Sequence, residues 1–232
     1  MIELVYSPKW FYGKDIVIDL VSILVLSLIA FFSIRCYRIN RNKKHLLLAS
    51  SFILMALAFM FKIITNFTIY YHVVETRQWG LLTLAYSSLR ASSVLFIIGF
   101  FVYRILMLLG LYVLHSTYTK QSRANIVLVL YLLLVSTYFS SSAYYMFHVT
   151  ALVLLSIITL TYHSNYKKSR HETNRLLFYS FSMITLSQLV FIFIEINPVL
   201  YVIADLIQLT GYAGLLITFI KVLKDGKKKR KK

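Results

Sequence analysis

The chain has 232 residues, 59% of them hydrophobic and 14% charged, with a mean hydropathy of +0.73. Soluble domains carry about a quarter of their residues as charges, so a soluble fold is excluded and one polytopic membrane domain is expected over the whole length. The net charge of +17 does not point to nucleic acid, because the positive residues sit in short stretches between apolar runs, where they act as topology determinants.

A helix needs ~20 apolar residues, rising ~1.5 Å each, to cross the ~30 Å hydrocarbon core. Seven such helices are predicted, at about 16–34, 45–71, 90–118, 123–139, 144–163, 175–194 and 198–223. Residues 1–15 are aromatic rather than basic and the run that follows is of membrane length, so no cleavable signal peptide is expected. Trp10, Phe11 and Tyr12 read as an interfacial aromatic belt before helix 1, which carries Asp19 near its outer end. The lone Cys36, at the other end among arginines, excludes an intrachain disulfide. Helix 2 carries Lys62 and Asn66. The segment 72–89, with Trp79 and Tyr86, is the longest connection and reads as an ordered flap or interfacial turn.

Helix 3 holds Arg104 near its middle. Helix 4 is short, and Ser140-Ser141-Ser142-Ala143 turns tightly after it. Helix 5 carries His148, which its position near the outer end marks as an interfacial histidine. Helix 6 carries Gln188 and ends in Glu195. Asn197-Pro198 then makes a turn, with proline tolerated at a helix start. Helix 7 carries Asp205 and Gln208 inside its apolar run, and the tail 224–232 is basic.

With the N-terminus outside, the cytoplasmic loops and tail hold nineteen lysines and arginines and the outside holds four, Lys9, Lys14, Arg77 and Arg90. Positive residues mark the cytoplasmic side, so the expected fold is an all-α, seven-helix bundle in the cytoplasmic membrane, N-terminus outside and C-terminus cytoplasmic. Helices 1 and 2 also align with helices 5 and 6 at an offset of 129 residues, placing Ser51-Phe52 on Ser180-Phe181 and Asp19 on His148. That is the pattern of a parallel three-plus-one-plus-three repeat. The segment before helix 3 breaks the match to helix 7, and apolar helices match one another cheaply.

Counted by depth, Asp19, Lys62, Asn66, His148, Gln188 and Asp205 all fall in the outer half of the bilayer, with Gln208 about one turn deeper and Arg104 near the midplane. Charges inside a membrane normally face the bundle, pair, and mark a site or pathway. Two positive and two negative residues allow a set with no net buried charge. Three readings follow: a pocket open to the outside, centred on Lys62 and Asp205, for a small polar or amphipathic molecule; a structural ion pair that glues the bundle; or a Lys62 that snorkels to the surface.

Several chemistries lack their residues. Arg90–Phe96 resembles the start of the third helix of retinal proteins, but the residue four after Asp205 is Leu209, and Lys221 and Lys224 lie at the cytoplasmic end, so no Schiff-base lysine is placed. His45, His115, His163 and His171 are scattered without an HxxxH pair, and no phosphate-binding glycine motif appears. Neither Pro8 nor Pro198 precedes a glutamine, as the Pro-Gln sugar transporters require. No enzyme activity, metal or cofactor is expected.

The segments KHLLLASSFILMALAFMFKIITN, YRILMLLGLY and YVIADLIQLTGYAGLLITFIKVLK resemble small standalone seven-helix proteins of archaea, and more distantly the seven-helix input regions of microbial histidine kinases. The second resemblance implies sensing. This sequence runs into KKKRKK rather than a kinase, so output would pass to a separate cytoplasmic partner. The resemblance transfers no site residue. The expected function is thus a receptor- or sensor-like protein with a ligand entering from outside and anionic lipid headgroups at the basic tail. The alternatives are a small-solute transporter on the repeat and a ligand-free scaffold.

Overall fold

The computed structural model describes residues 7–11, 13–75, 82–119 and 122–230, with side chains over 13–39, 41–66, 96–119 and 122–222 and at 7, 8, 10 and 11. It has seven α-helices: α1 Lys14–Asn40, α2 Lys43–Glu75, α3 Leu82–Ser116, α4 Arg123–Phe139, α5 Tyr145–Ser169, α6 Glu172–Ile192 and α7 Val199–Arg230. Six are long and apolar enough to cross a membrane, and α4 is a shorter apolar helix of 17 residues. The chain is a multi-pass helical membrane bundle.

Several boundaries differ from those predicted. The segment 72–89 is no long connection: α2 runs on to Glu75 and α3 starts at Leu82, and only 76–81 lies outside the described residues. Much of the basic tail continues α7, as far as Arg230. Helix α1 begins two residues early, which brings Asp15 into its first turn. There Asp15 Oδ1 accepts from the backbone N–H groups of Gly13 (3.0 Å) and Ile16 (2.9 Å), favoured by the positive end of the helix dipole. The aromatic belt is divided: Trp10 is exposed and Phe11 buried in a short 3-10 turn, and Tyr12 lies outside the described residues.

The helices form a closed ring. Neighbours pack in the order α1, α2, α3, α5, α6, α7 and back to α1, while α4 stands outside against α3 and α5. Helix α1 turns Leu20, Leu24, Leu28 and Phe31 outward, a stripe suited to lipid, and buries Leu26 and Ile29 on its other face. Most of α4 is exposed, with Leu133 and Thr137 as its buried residues. Small residues bring the ring helices close. A Cβ on Gly211 would meet Ile184 Cγ1 at 2.5 Å and Ser180 O at 3.1 Å, and one on Gly110 would meet the flexible Met55 Cγ at 2.8 Å and Ser51 O at 3.1 Å. Overpacking costs ~1–3 kcal/mol, so Gly211→Ala is expected to lower the unfolding midpoint more than Gly110→Ala. In an Ile184→Ala background the further loss caused by Gly211→Ala should shrink, which thermal melts of the single and double variants in detergent would show.

An apolar core fills one end of the ring with Leu26, Ile29, Phe52, Leu108, Leu155 and Leu215. The other end, where α1, α3, α5 and α7 begin, holds the buried charged residues and His148. It is closed by a second cluster around Phe11, Phe191, Ile194 and Tyr201.

Candidate functional site: a buried charge cluster at one end of the ring

Lys62, a little past the middle of α2, is the centre. Its Nζ lies 2.9 Å from Asp19 Oδ1 on α1 and 3.5 Å from Asp205 Oδ1 on α7. The Lys62 side chain is 12% exposed, against 1% and 2% for the two carboxylates, so it points into the ring and does not snorkel to the surface. The faces of Phe59 and Tyr201 lie 5.6 and 5.7 Å from the ammonium, a cation–π range. These rings follow from helical spacing. Phe59 precedes Lys62 by one turn, and Tyr201 precedes Asp205 by one turn.

Asn66, one turn beyond Lys62, donates from Nδ2 to Asp15 Oδ2 at 3.1 Å. Asp15 is buried and lies within electrostatic reach of both Asp19 and Asp205. The expected balance of two positive and two negative residues therefore does not hold. Three buried carboxylates, Asp15, Asp19 and Asp205, and two cations, Lys62 and Arg104, lie at this end of the ring, and of the cations Lys62 is the one paired with Asp19 and Asp205. The signal for Asp15 was its spacing of four from Asp19, which puts both on one helical face.

His148 is not interfacial. It is buried, stacked on Phe191 with centroids 4.8 Å apart, and in contact with Tyr144 and Phe147. Its Nδ1 lies 2.8 Å from Gln188 Oε1. An amide oxygen only accepts, so with Gln188 in this orientation Nδ1 carries the proton and Nε2 is left as an acceptor. Arg104, 1% exposed, donates from Nη1 to the Ser140 carbonyl at 2.7 Å and stacks over Phe100 at 3.7 Å. Tyr144 lies beside both Arg104 and His148, and the charges of Lys62 and Arg104 both reach His148. Gln208 instead donates to Tyr212 OH at 3.0 Å, toward the apolar core.

Asp19, Lys62, Asn66 and Asp205 thus form one cluster with Asp15, and His148, Gln188 and Arg104 flank it. Asp19 Oδ2, Asp205 Oδ2 and His148 Nε2 are buried and have no hydrogen-bond partner among the described residues. Among those residues, no group of three His, Cys, Asp or Glu side chains is arranged to hold a metal ion. The arrangement offers acceptors and aromatic faces to a donor.

The bundle defines a class, that of multi-pass helical membrane proteins with a buried charge cluster. Compared with known proteins, the chain matches no family model, no curated protein and no solved structure.

Proposed function

We propose that the chain is a receptor- or sensor-like protein of the cytoplasmic membrane that takes a small hydrogen-bond-donating molecule at its charge cluster. The observation that carries the reading is the pair of buried carboxylate oxygens, Asp19 Oδ2 and Asp205 Oδ2, without a hydrogen-bond partner among the described residues. An unsatisfied buried acceptor costs ~1–3 kcal/mol, and a bound donor would recover it. The excess of one carboxylate over the cations favours an ammonium or a neutral donor over an anion. The N-out topology read from the basic residues puts this end of the ring outside the cell. The apolar core across the other end favours a one-sided pocket over a path through the bundle. Signal would leave through a separate cytoplasmic partner, with the basic end of α7 drawn to anionic headgroups.

A transporter is the second reading. It is favoured by the matched halves of the ring described below, since transporters built on repeats bind solute between them.

Mass spectrometry of small molecules that co-purify with the protein tests the first reading, with the double variant Lys62→Met/Asp205→Asn as control. A compound present in the wild type and lost in the folded control is expected. Bulk lipid alone in both samples would move the assignment to a ligand-free scaffold.

A further inference from the structure

The two halves of the ring agree in details that apolar composition does not explain. Helices α1 and α5 are capped at their C-termini by Arg41 and Arg170, the two non-glycine residues of positive φ among those described, at 51° and 48°. Each sends its backbone N–H back four residues, to the carbonyls of Tyr37 and Tyr166. Helices α2 and α6 then begin at Lys43 and Glu172. Each of these pairs differs by the same 129 residues that the sequence alignment gives. A left-handed arginine is an uncommon helix end, since the position usually takes glycine, so its recurrence at matched positions is not a by-product of hydrophobicity. The interior faces keep the same register: Ser22, Leu26 and Ile29 are buried as are Ala151, Leu155 and Ile158.

The third helices match too, at a different offset. Gly110 approaches Ser51 and Met55 on α2, and Gly211 approaches Ser180 and Ile184 on α6. Ser51 and Met55 correspond to Ser180 and Ile184 at 129, so Gly110 corresponds to Gly211 at 101. At that offset the buried Thr117 falls on the buried Thr218, and each hydroxyl donates to the carbonyl four residues earlier. The change of offset is absorbed where α2 runs on to Glu75 and α3 starts at Leu82.

The ring contacts obey the same exchange. Swapping α1–α3 with α5–α7 carries α1·α2 to α5·α6, α2·α3 to α6·α7, and α3·α5 to α7·α1. Three crossings leave the chain on the wrong side for a parallel copy, and α4, outside the ring, returns it.

Six equivalent positions, one on each ring helix, then fall in one layer: Asp19, Lys62 and Arg104 in the first half, His148, Phe191 and Asp205 in the second. All three of the buried acceptors noted above belong to it. We propose that the ring is a duplicated three-helix unit, and that these six positions, Phe191 among them, form a single ligand-binding layer on the two-fold axis between the copies. The binding half of this statement rests on the ligand reading above; the duplication does not. The two copies have diverged in charge. The Lys62–Asp205 contact crosses the seam between them, whereas Lys62–Asp19 lies within the first copy.

The test uses the full chain in nanodiscs with Cys36→Ser. Spin labels go at the lipid-facing residues Leu24, Met60 and Ile98 of the first half and at their equivalents Val153, Leu189 and Val199. Distances measured by double electron–electron resonance are expected to agree between Leu24–Met60 and Val153–Leu189, and between Met60–Ile98 and Leu189–Val199. A disagreement in the second comparison of more than one helical turn, ~5 Å, overturns the duplication. For the layer, Phe191→Ala is expected to cut the co-purified compound about tenfold, the loss of one aromatic contact, while Ile184→Ala, two turns along the same helix, retains it. Retention by Phe191→Ala overturns the layer. A wild type with no compound overturns the ligand reading and the layer's binding role together, and the distances still decide the duplication.

Discussion

Replacing Lys62 by methionine will destabilise the protein more than any other single substitution in the cluster. The variant leaves Asp19 and Asp205, both nearly inaccessible, without their ammonium, and Asp15 stays within reach of each. Removing one partner of a buried pair typically costs ~3–5 kcal/mol, because the remaining charge keeps its desolvation penalty and loses its compensation. Asp205→Asn should cost less. It removes the longer contact, 3.5 Å, and leaves Lys62 its 2.9 Å partner Asp19. The double variant should cost less than the sum of the two, and adding Asp19→Asn should recover most of the remainder, since the one carboxylate then left in the cluster, Asp15, keeps its bonds from Gly13, Ile16 and Asn66. Reversible unfolding in bicelles would give the cycle. If Lys62→Met costs no more than Asp205→Asn, or the two add within ~0.5 kcal/mol, the pair is not coupled and the ammonium is solvated by something else.

Most of this arrangement is legible in the residue types alone. Lys62, Asp19 and Asp205 stood out because charges in apolar runs demand partners, and counting residues along the helices put them at one depth. What failed has physical causes. His148 lies four residues into α5, which reads as surface, but Tyr144, Phe147 and Phe191 cover it. Asp15 precedes the first apolar residue, Ile16, and so reads as lead-in to helix 1, whereas its carboxylate accepts from the backbone at the start of the first turn. The opening of α3 before Arg90, with Thr83, Ser87 and Ser88, is too polar to read as an extension of a membrane helix. The exclusion of α4 from the ring has no sequence signal. A helix facing lipid on one side and protein on the other is apolar all round, so periodicity does not tell inner from outer positions. The repeat was legible in the first two helices of each half. Its third helix was hidden by the change of offset, and it took the close approaches of Gly110 and Gly211 to recover it.

The second large effect is expected at Arg104, and it should be local where that of Lys62 is global. Helix α4 has 17 residues, about 25 Å at ~1.5 Å each, and is the shortest of the seven. Its C-cap is Ser140, whose carbonyl accepts from Arg104 Nη1 at 2.7 Å. The last carbonyls of a helix have no partner within it and carry the negative end of its dipole, so a buried guanidinium there satisfies one of them and the dipole together. Phe100, Tyr144 and Phe147 surround the same guanidinium at 3.7, 5.0 and 5.3 Å, which fixes its plane. One arginine of the ring thus fastens a helix that has few other buried residues. Arg104→Leu removes a charge-assisted hydrogen bond worth ~1.5–3 kcal/mol. Its main consequence should be faster hydrogen exchange over 136–148, the end of α4 and the start of α5, with little change at the α1–α2 contact. Arg104→Lys should recover only part of the protection, because an ammonium has no planar fork to stack between the rings while donating. Unchanged exchange in Arg104→Leu, or full protection in Arg104→Lys, would mean that lipid and the Leu133 and Thr137 contacts hold α4 by themselves, and that Arg104 is free to serve the charge cluster alone.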